Sequence, residues 1–461
     1  MTHLFGLLSI GTGALLSQQR AINVTGNNIA NVNTPGYSRQ RVGMQTNPPA
    51  PSAVGTVGFG VRTTSVERIY DRFLGVQLNR ENAKFGSWEA QKGVLERAEV
   101  VFDEAAGYGL NQALSQFWSG WQDLAMNPVG GVERAVLAGA GQHLADTIRS
   151  KYANLEQIRR EIDGSLAAGV EAVNRLTASI ADLNEKIARI EVGGTETAND
   201  YRDSRDLALK ELSKLIETQS YEDAAGRVVV SVGSGRVLVE SGNQYRLSVR
   251  SSAEGRAELL WPDTGGGWTD ISGEVRAGSV GGWLQARDGA IAGYMGRLDE
   301  LAVGLIVAVN ARHREGSGIG GSTDVDFFGG SGAADITVNA AILEDPNRIA
   351  AAADGSPPGD GGNALRIAAL QTDREVLDGV SIDDAANALV GLVGHDLRAA
   401  AAHAGQQADM MAYLENYRES VSGVSIDEEM VNLVKYQAAY NAAAKMISMA
   451  QDMMDSLMNM T

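Results

Sequence analysis

Cysteine is absent from the chain. That excludes disulfides, thiolate-bound metals and a cysteine nucleophile. It also suits a polypeptide that is threaded unfolded through an export channel. No run of 18 apolar residues occurs, so no segment is fit to span a membrane. A cleavable secretion signal is not read either, because Leu4–Ile10 is short, lacks a basic flank and leads into an amphipathic helix. Positive charge is in deficit. The formal net charge of −18 argues against nucleic acid, whose phosphates need a basic surface, and against adhesion to an anionic membrane.

Signatures of catalysis are equally scarce. The five histidines are scattered, with no HExxH spacing. Gly316-x-Gly318-x-x-Gly321 matches the dinucleotide fingerprint letter by letter, but it follows a helix and not a strand, which makes it a loop. Asp324 and Asp326 open no twelve-residue calcium loop. P-loop and nucleophile-elbow patterns are missing. No enzyme, metal or cofactor is expected.

What the chain does have is a pair of seams, one at each end. Ile426, Leu433, Tyr440, Ile447 and Met454 recur every seven residues, with Tyr436, Ala443, Ala450 and Leu457 between them. Leu8, Leu15, Ile22 and Ile29 repeat in the same way near the start, with Leu4, Gly11, Gln18 and Thr25 between. A 3.5-residue period keeps one stripe facing a partner helix, so the two seams are expected to zip together or onto copies in neighbouring molecules. Ser425 with Glu428 reads as a capping box opening the last helix. Thr34-Pro35-Gly36 closes the first. Asn27, Asn28, Asn31 and Asn33 crowd its end, where asparagine weakens a helix, and their amides are candidates for bonding a neighbouring subunit's backbone.

Between the seams the pattern is mainly α. Proline and glycine from Pro48 to Gly60 predict a loop or hairpin, and helical spacing then runs from Glu67 to about Glu104. Gly107 and Gly109 break it before a helix carrying Phe117, Trp118 and Trp121 as bundle core. A very long helix follows over about 132–192, then one over 199–216. Three β-branched runs, at 227–232, 236–240 and 244–249, predict a small insertion of hairpins. Helical spacing returns at 282–313 and 383–420, on either side of a glycine-rich section. The expected fold is therefore mainly α with nested, discontinuous domains. Residues 1–45 and 422–461 make an inner terminal coiled coil. Residues 46–216, 282–315 and 383–421 make a helical rod, 217–281 a β-rich insertion, and 316–382 a loop-rich outer segment. Terminal helices of this kind are expected to order only on contact with several neighbours, which keeps monomers from polymerising early.

The asparagine cluster extends into Val32-Asn33-Thr34-Pro35-Gly36-Tyr37-Ser38-Arg39, which resembles the N-terminal signature of flagellar rod, hook and hook-associated proteins. Asp427, Glu428, Glu429, Leu433, Tyr436, Gln437, Tyr440 and Ala443-Ala444-Lys445 resemble the matching C-terminal motif. Phe117-Trp118-x-x-Trp121-x-x-Leu124 ahead of Asn127-Pro128, Arg205-Asp206, Asp345-Pro346 and Asn363-Ala364-Leu365 are similar to the hook-associated family of the hook–filament junction. The β region is short beside longer members. The resemblance implies a structural subunit, exported by the flagellar type III apparatus with a dedicated chaperone and assembled outside the cell. Its implied partners are copies of itself, the flagellar hook protein and a second hook–filament junction protein. The implied interface is formed by Leu8, Leu15, Ile22, Asn27, Asn28, Ile29 and Asn31 with Ile426, Leu433, Tyr436, Tyr440, Ile447, Met454 and Leu457. Another rod or hook subunit, or an adhesin or hydrolase on a flagellar scaffold, are the lesser readings.

Overall fold

The computed structural model describes residues 2–459, apart from 53–54, 105–108, 195, 253–254 and 264. The expected break at Gly107 lies outside the described residues. Helices are numbered in chain order. The first, α1 (Thr2–Ala30), and the last, α11 (Ile426–Met458), lie side by side. They run antiparallel: Asn28 near the end of α1 bonds Glu429 at the start of α11, while Gly11 faces Ala443 and Ile447. Glycine at 11 sets the approach, because a Cβ there would stand 2.8 Å from Ile447 Cγ1. The expected capping box does not form. Ser425 sits at the N-cap position without a side-chain cap bond, and Glu428 turns instead to Arg39, a cation that competes for its carboxylate.

The proline-rich segment is a hairpin, as its composition predicts. Strand β1 (Gln40–Thr46) pairs antiparallel with β4 (Val61–Arg68), and the short pair β2 (Ala50–Ser52) and β3 (Gly55–Val57) forms its tip. The hairpin lies against α1, where Gly60, at φ 76°, passes over Ile10.

The rod begins with α2 (Arg72–Val101), capped by Asp71 and antiparallel to α10 (Ile382–Ser422). Leu74 and Leu78 meet Met411 and Leu414, and the Trp88 ring stacks on His403 at 4.4 Å. Helix α3 (Leu110–Met126) precedes α4 (Gly131–Glu191), whose 61 residues extend about 90 Å. Gly169 does not interrupt α4; its bare face admits the Trp283 ring. Helix α5 (Asn199–Leu215) follows. The helix expected over 282–313 is two, α6 (Gly278–Gln285) and α7 (Ala292–Arg314), joined by a π turn at Ala286–Ile291. Buried Arg287 occupies that turn and reaches Asp163, Asp288 and the Ala257 carbonyl.

The β layer holds more strands than three apolar runs suggest. Strands β5 (Thr218–Glu222), β6 (Val228–Val232), β7 (Arg236–Glu240) and β8 (Asn243–Gln244) form one sheet, and β9 (Ser248–Ser251), β10 (Ala257–Pro262) and β11 (Trp268–Asp270) another. The run at 244–249 is split because Asn174 of α4 takes both the N–H and the C=O of Leu247 out of the ladder. Asn184 does the same to Val228, so two buried amides clip the sheets onto α4.

The loop-rich section is similarly tethered, with two short helices, α8 (Ala340–Glu344) and α9 (Gly362–Ala369). Asn310 bonds the backbone of Phe327 and Phe328, and Arg134 donates to the carbonyls of Pro128, Pro346, Asn347 and Ile349. Gly318 and Gly321 lie in a turn there, in line with a loop and not a nucleotide cradle. One apolar core runs through bundle, β layer and this section, joining Phe117, Trp118 and Trp121 to Phe327 and Phe328. None of its residues comes from α1 or α11.

Candidate assembly interface at the paired termini

The predicted seams are the faces that meet. Leu8, Leu15, Ile22 and Ile29 are half-buried on α1, and Leu433, Tyr436, Tyr440, Ile447 and Met454 are half-buried on α11. Gly11, Ala21, Thr25, Ala443 and Ala450 are buried, and Gly11 meets Ala443 and Ile447 where the helices cross. Ile426 and Leu457, at the two ends of α11, stay about half exposed (50% and 53%). A single chain therefore covers each stripe with the other. The expectation that cover needs several molecules gives way to this intrachain pairing, made possible by small residues at the crossing. What remains for neighbours is the incompletely covered edge.

A polar joint locks the pair to the rod. Asn28 is 1% exposed and its amide is fully used within the chain. Its Nδ2 donates to the Gln40 carbonyl (2.9 Å) and Glu429 Oε2 (3.0 Å), while Oδ1 accepts from Tyr37 OH (2.8 Å) and Gln40 N–H (2.9 Å). Asn27 and Asn31 bond each other, and Thr34 closes the turn onto Asn31. These amides turn inward to their own helix end, leaving Asn28 nothing to offer a neighbouring backbone. Arg39 bridges Glu428 and Glu429 at 2.6 and 2.7 Å, and its N–H donates to the Ser422 carbonyl. Ser38 N–H and Arg68 both donate to Asp203 on α5, and Arg68 also reaches Asp206. Burial and the nearby charges of Asp200, Asp203 and Glu429 push the Tyr37 hydroxyl above its ordinary range, so it stays a donor to Asn28. Burial likewise raises the Asp203 carboxyl, against the pull of Ser38 and Arg68.

The charged half of this joint was not legible as a site. Arg39, Glu428 and Glu429 appear in the sequence only as parts of motifs. One signal was available: Glu429 falls three residues after Ile426, on the seam itself, and is 2% exposed. An acid on an apolar seam implies a buried cation or donor opposite, here Arg39 and Asn28.

A second stripe on α11 faces away from α1. Val431, Val434, Ala438, Ala442, Met446, Met449 and Met453 recur at steps of three and four, and all are exposed. They lie on the helix face opposite Leu433, Tyr440 and Ile447. On α1 the outward residues are mostly polar, with Phe5 and Leu16 the large exceptions. The arrangement offers packing, not chemistry. Among the described residues no three His, Asp or Glu side chains gather as metal ligands.

Comparison with known proteins follows the same layout. Residues 95–328 match the family described as the flagellar hook-associated protein FlgK helical domain. Residues 8–37 match flagella basal body rod proteins, and 416–460 match the flagellar basal body rod FlgEFG protein C-terminal family. Flagellar hook-associated protein 1 of Bacillus subtilis is 30% identical over 100% of this chain and 99% of its own. Its counterpart in Escherichia coli is 23% identical over 98% of this chain and 99% of its own. The solved flagellar hook junction protein FlgK from Burkholderia pseudomallei shares the fold, with a TM-score of 0.66 at 15% identity over 75% of this chain and 100% of that one. Matched from end to end at that identity, and through half its residues by the helical-domain family, the chain belongs to the flagellar hook-associated protein 1 family.

Proposed function

We propose that this chain is a structural subunit of the flagellum that joins the hook to the filament and assembles through its paired terminal helices. The observation that carries the reading is the bare apolar stripe Val431–Met453 on the outer face of α11, alongside a seam that its own partner helix only half covers. A helical tube is built from heterologous contacts, in which one patch meets a different patch on the next subunit. Two differently covered faces on one helix supply such a pair. The second face is the seam itself, where Leu8, Leu15, Ile22, Leu433, Tyr436, Tyr440, Ile447 and Met454 keep uncovered edges and Ile426 and Leu457 form the exposed ends. Asn27, Ile29 and Asn31, at the end of α1 and only partly covered, adjoin this interface.

The partners that fit are further copies of the chain, the hook protein below and a second junction protein above. Export would proceed unfolded through the flagellar type III apparatus with a chaperone on the C-terminal helix, placing the assembled subunit outside the cell. The absence of disulfides is compatible with that passage.

Replacement in a motile strain tests the reading. A null strain carrying this chain should swim, whereas Val434→Asp, which places a charge on the outward stripe without entering the intrachain seam, should leave hooks intact and spill unpolymerised flagellin into the medium. Normal filament attachment by secreted Val434→Asp subunits would refute it. Long hook-like tubes of the chain itself would favour a hook subunit instead.

A further inference from the structure

With no cysteine in the chain, methionine is the side chain left to react with mild oxidants, and its placement is uneven. Seven of the 13 methionines fall between Met430 and Met460. Three of them, Met446, Met449 and Met453, lie within two helical turns on the outward face of α11, at 36, 54 and 43% exposure. Met126, Met410, Met430 and Met458 are also exposed but lie off this stripe, whereas Met295 in α7 and Met411 in α10 are buried. We propose that Met446, Met449 and Met453 form a peroxide-sensitive modification site, whose oxidation blocks assembly of the free subunit while leaving its fold in place. The proposal rests on the assembly reading given above.

The chemistry is self-contained. The thioether sulfur attacks one oxygen of hydrogen peroxide and the O–O bond breaks. A sulfur–oxygen bond forms, and the second oxygen leaves with the transferred proton as water. Sulfur loses two electrons and peroxide gains them. The product exchanges a flexible apolar side chain for a polar one whose oxygen demands a hydrogen bond. On the free chain that oxygen points to water and costs nothing. Against a neighbouring subunit it would be desolvated three times within two turns. The intrachain seam is less affected, because Ala443 and Ala450 are its buried residues here and Met454 is its one methionine within this stretch. Once assembled, the same sulfurs would be covered and slow to react, so the site reports exposure of the unassembled subunit.

Purified full-length chain, untreated or exposed to hydrogen peroxide, can be added to isolated hook polymers and the bound fraction measured after sedimentation. Peptide mass mapping should find sulfoxide at Met446, Met449 and Met453 well before Met295 and Met411. Binding of the oxidised chain should fall about tenfold or more, because unpaired polar groups are buried, with helicity by circular dichroism unchanged. Methionine sulfoxide reductases of both stereospecificities should restore it. The combined variant Met446→Leu, Met449→Leu, Met453→Leu, judged only against its own untreated level, should lose no more than about twofold on treatment, since leucine keeps the volume without the sulfur. Equal binding before and after oxidation, equal peroxide sensitivity in the leucine variant, or loss of helicity on treatment would each overturn the proposal. Failure of the untreated chain to bind hooks at all would instead overturn the assembly reading beneath it.

Discussion

Asn28 and Glu429 stand 401 residues apart in the chain and are joined by a 3.0 Å hydrogen bond in a site that excludes water. The bond ties the two termini to each other; Arg39 and Gln40 bond both and reach the rod through the Ser422 carbonyl and Asp200. Among the described residues, no apolar core crosses this joint. Beyond the hairpin that lies along α1, the terminal pair is therefore held to the rod by polar contacts that are specific in geometry and individually breakable.

Replacing Asn28 should consequently loosen the termini alone. Asn28→Ala removes the acceptor of Tyr37 OH and Gln40 N–H together with a donor to a buried carboxylate, a loss of about 2 kcal/mol in pairing. Amide hydrogen exchange should quicken about 30-fold in residues 2–30 and 426–458, the same energy expressed as a rate. Asn28→Asp should be worse, since it sets a second carboxylate beside Glu429. Exchange in α4 should not change. Uniform acceleration along the chain would show that the joint is not a separate unit.

Two glycines of α1 make opposite predictions. Gly11 lies where α1 and α11 touch, and Gly11→Val must push Ile447 or the whole helix aside. Overpacking of this kind costs about 1–3 kcal/mol. Gly26 has open space where a Cβ would go. Gly26→Ala should stabilise α1 by about 0.5–1 kcal/mol, because alanine loses less backbone entropy in a helix. The protection of α11 amides should fall in the first variant and rise in the second. Any other order would contradict the crossing described here.

Much of this fold was legible because it is built on periodicity. The heptads at Leu8–Ile29 and Ile426–Met454 predicted which faces meet, and the charge-rich run from Val132 predicted α4 nearly to its ends. Strand β5 was missed because Thr218–Glu222 is polar and takes its place in the sheet by pairing with β6, not by apolar pattern. The π turn at Ala286–Ile291 has no compositional mark, and it becomes visible only through the partners Arg287 reaches. Within the interface, the seam could be read but the joint could not. Its members lie in five separated stretches of chain, and a lone Asp203 or Arg68 carries no sign of its partner. The outward stripe went unread for a different reason: it shares the seam's steps of three and four, and a helix with two apolar faces does not mark which one its own chain covers.

His313 makes the stability of the rod depend on pH. Its ring is buried, with Nδ1 2.6 Å from the Val325 carbonyl and Nε2 accepting from Ala350 N–H at 2.9 Å, so Nδ1 carries the proton and the ring is neutral. Burial lowers its pKa from 6.5 to about 4. The unfolded chain therefore binds a proton that the folded chain refuses between those values. The contribution is fully present above pH 6.5 and is lost as pH falls toward 4, by up to about 3 kcal/mol. Urea midpoints measured across that window should fall more steeply for the native chain than for His313→Asn. Parallel slopes would mean that other groups set the acid limit.

Arg134 offers the sharpest test of how the loop-rich section is held. It is buried at the start of α4, and among the described residues no carboxylate pairs with it. Its guanidinium donates instead to Pro128 on one side and to Pro346, Asn347 and Ile349 on the other. Burial accordingly lowers its pKa, opposed in part by the charge of Asp345. Arg134→Ala would strand these carbonyls at once and open a void, and the expected loss is about 3 kcal/mol or more. Arg134→Lys should recover little, because one ammonium cannot reach both sides as a planar fork does. The loss should be local at first. Limited proteolysis should cut within 316–361 in Arg134→Ala while α10, held through Trp88–His403 and the Leu78–Met411 cluster, stays intact. Simultaneous cleavage of α10 would show instead that the section and the bundle unfold as one cooperative body.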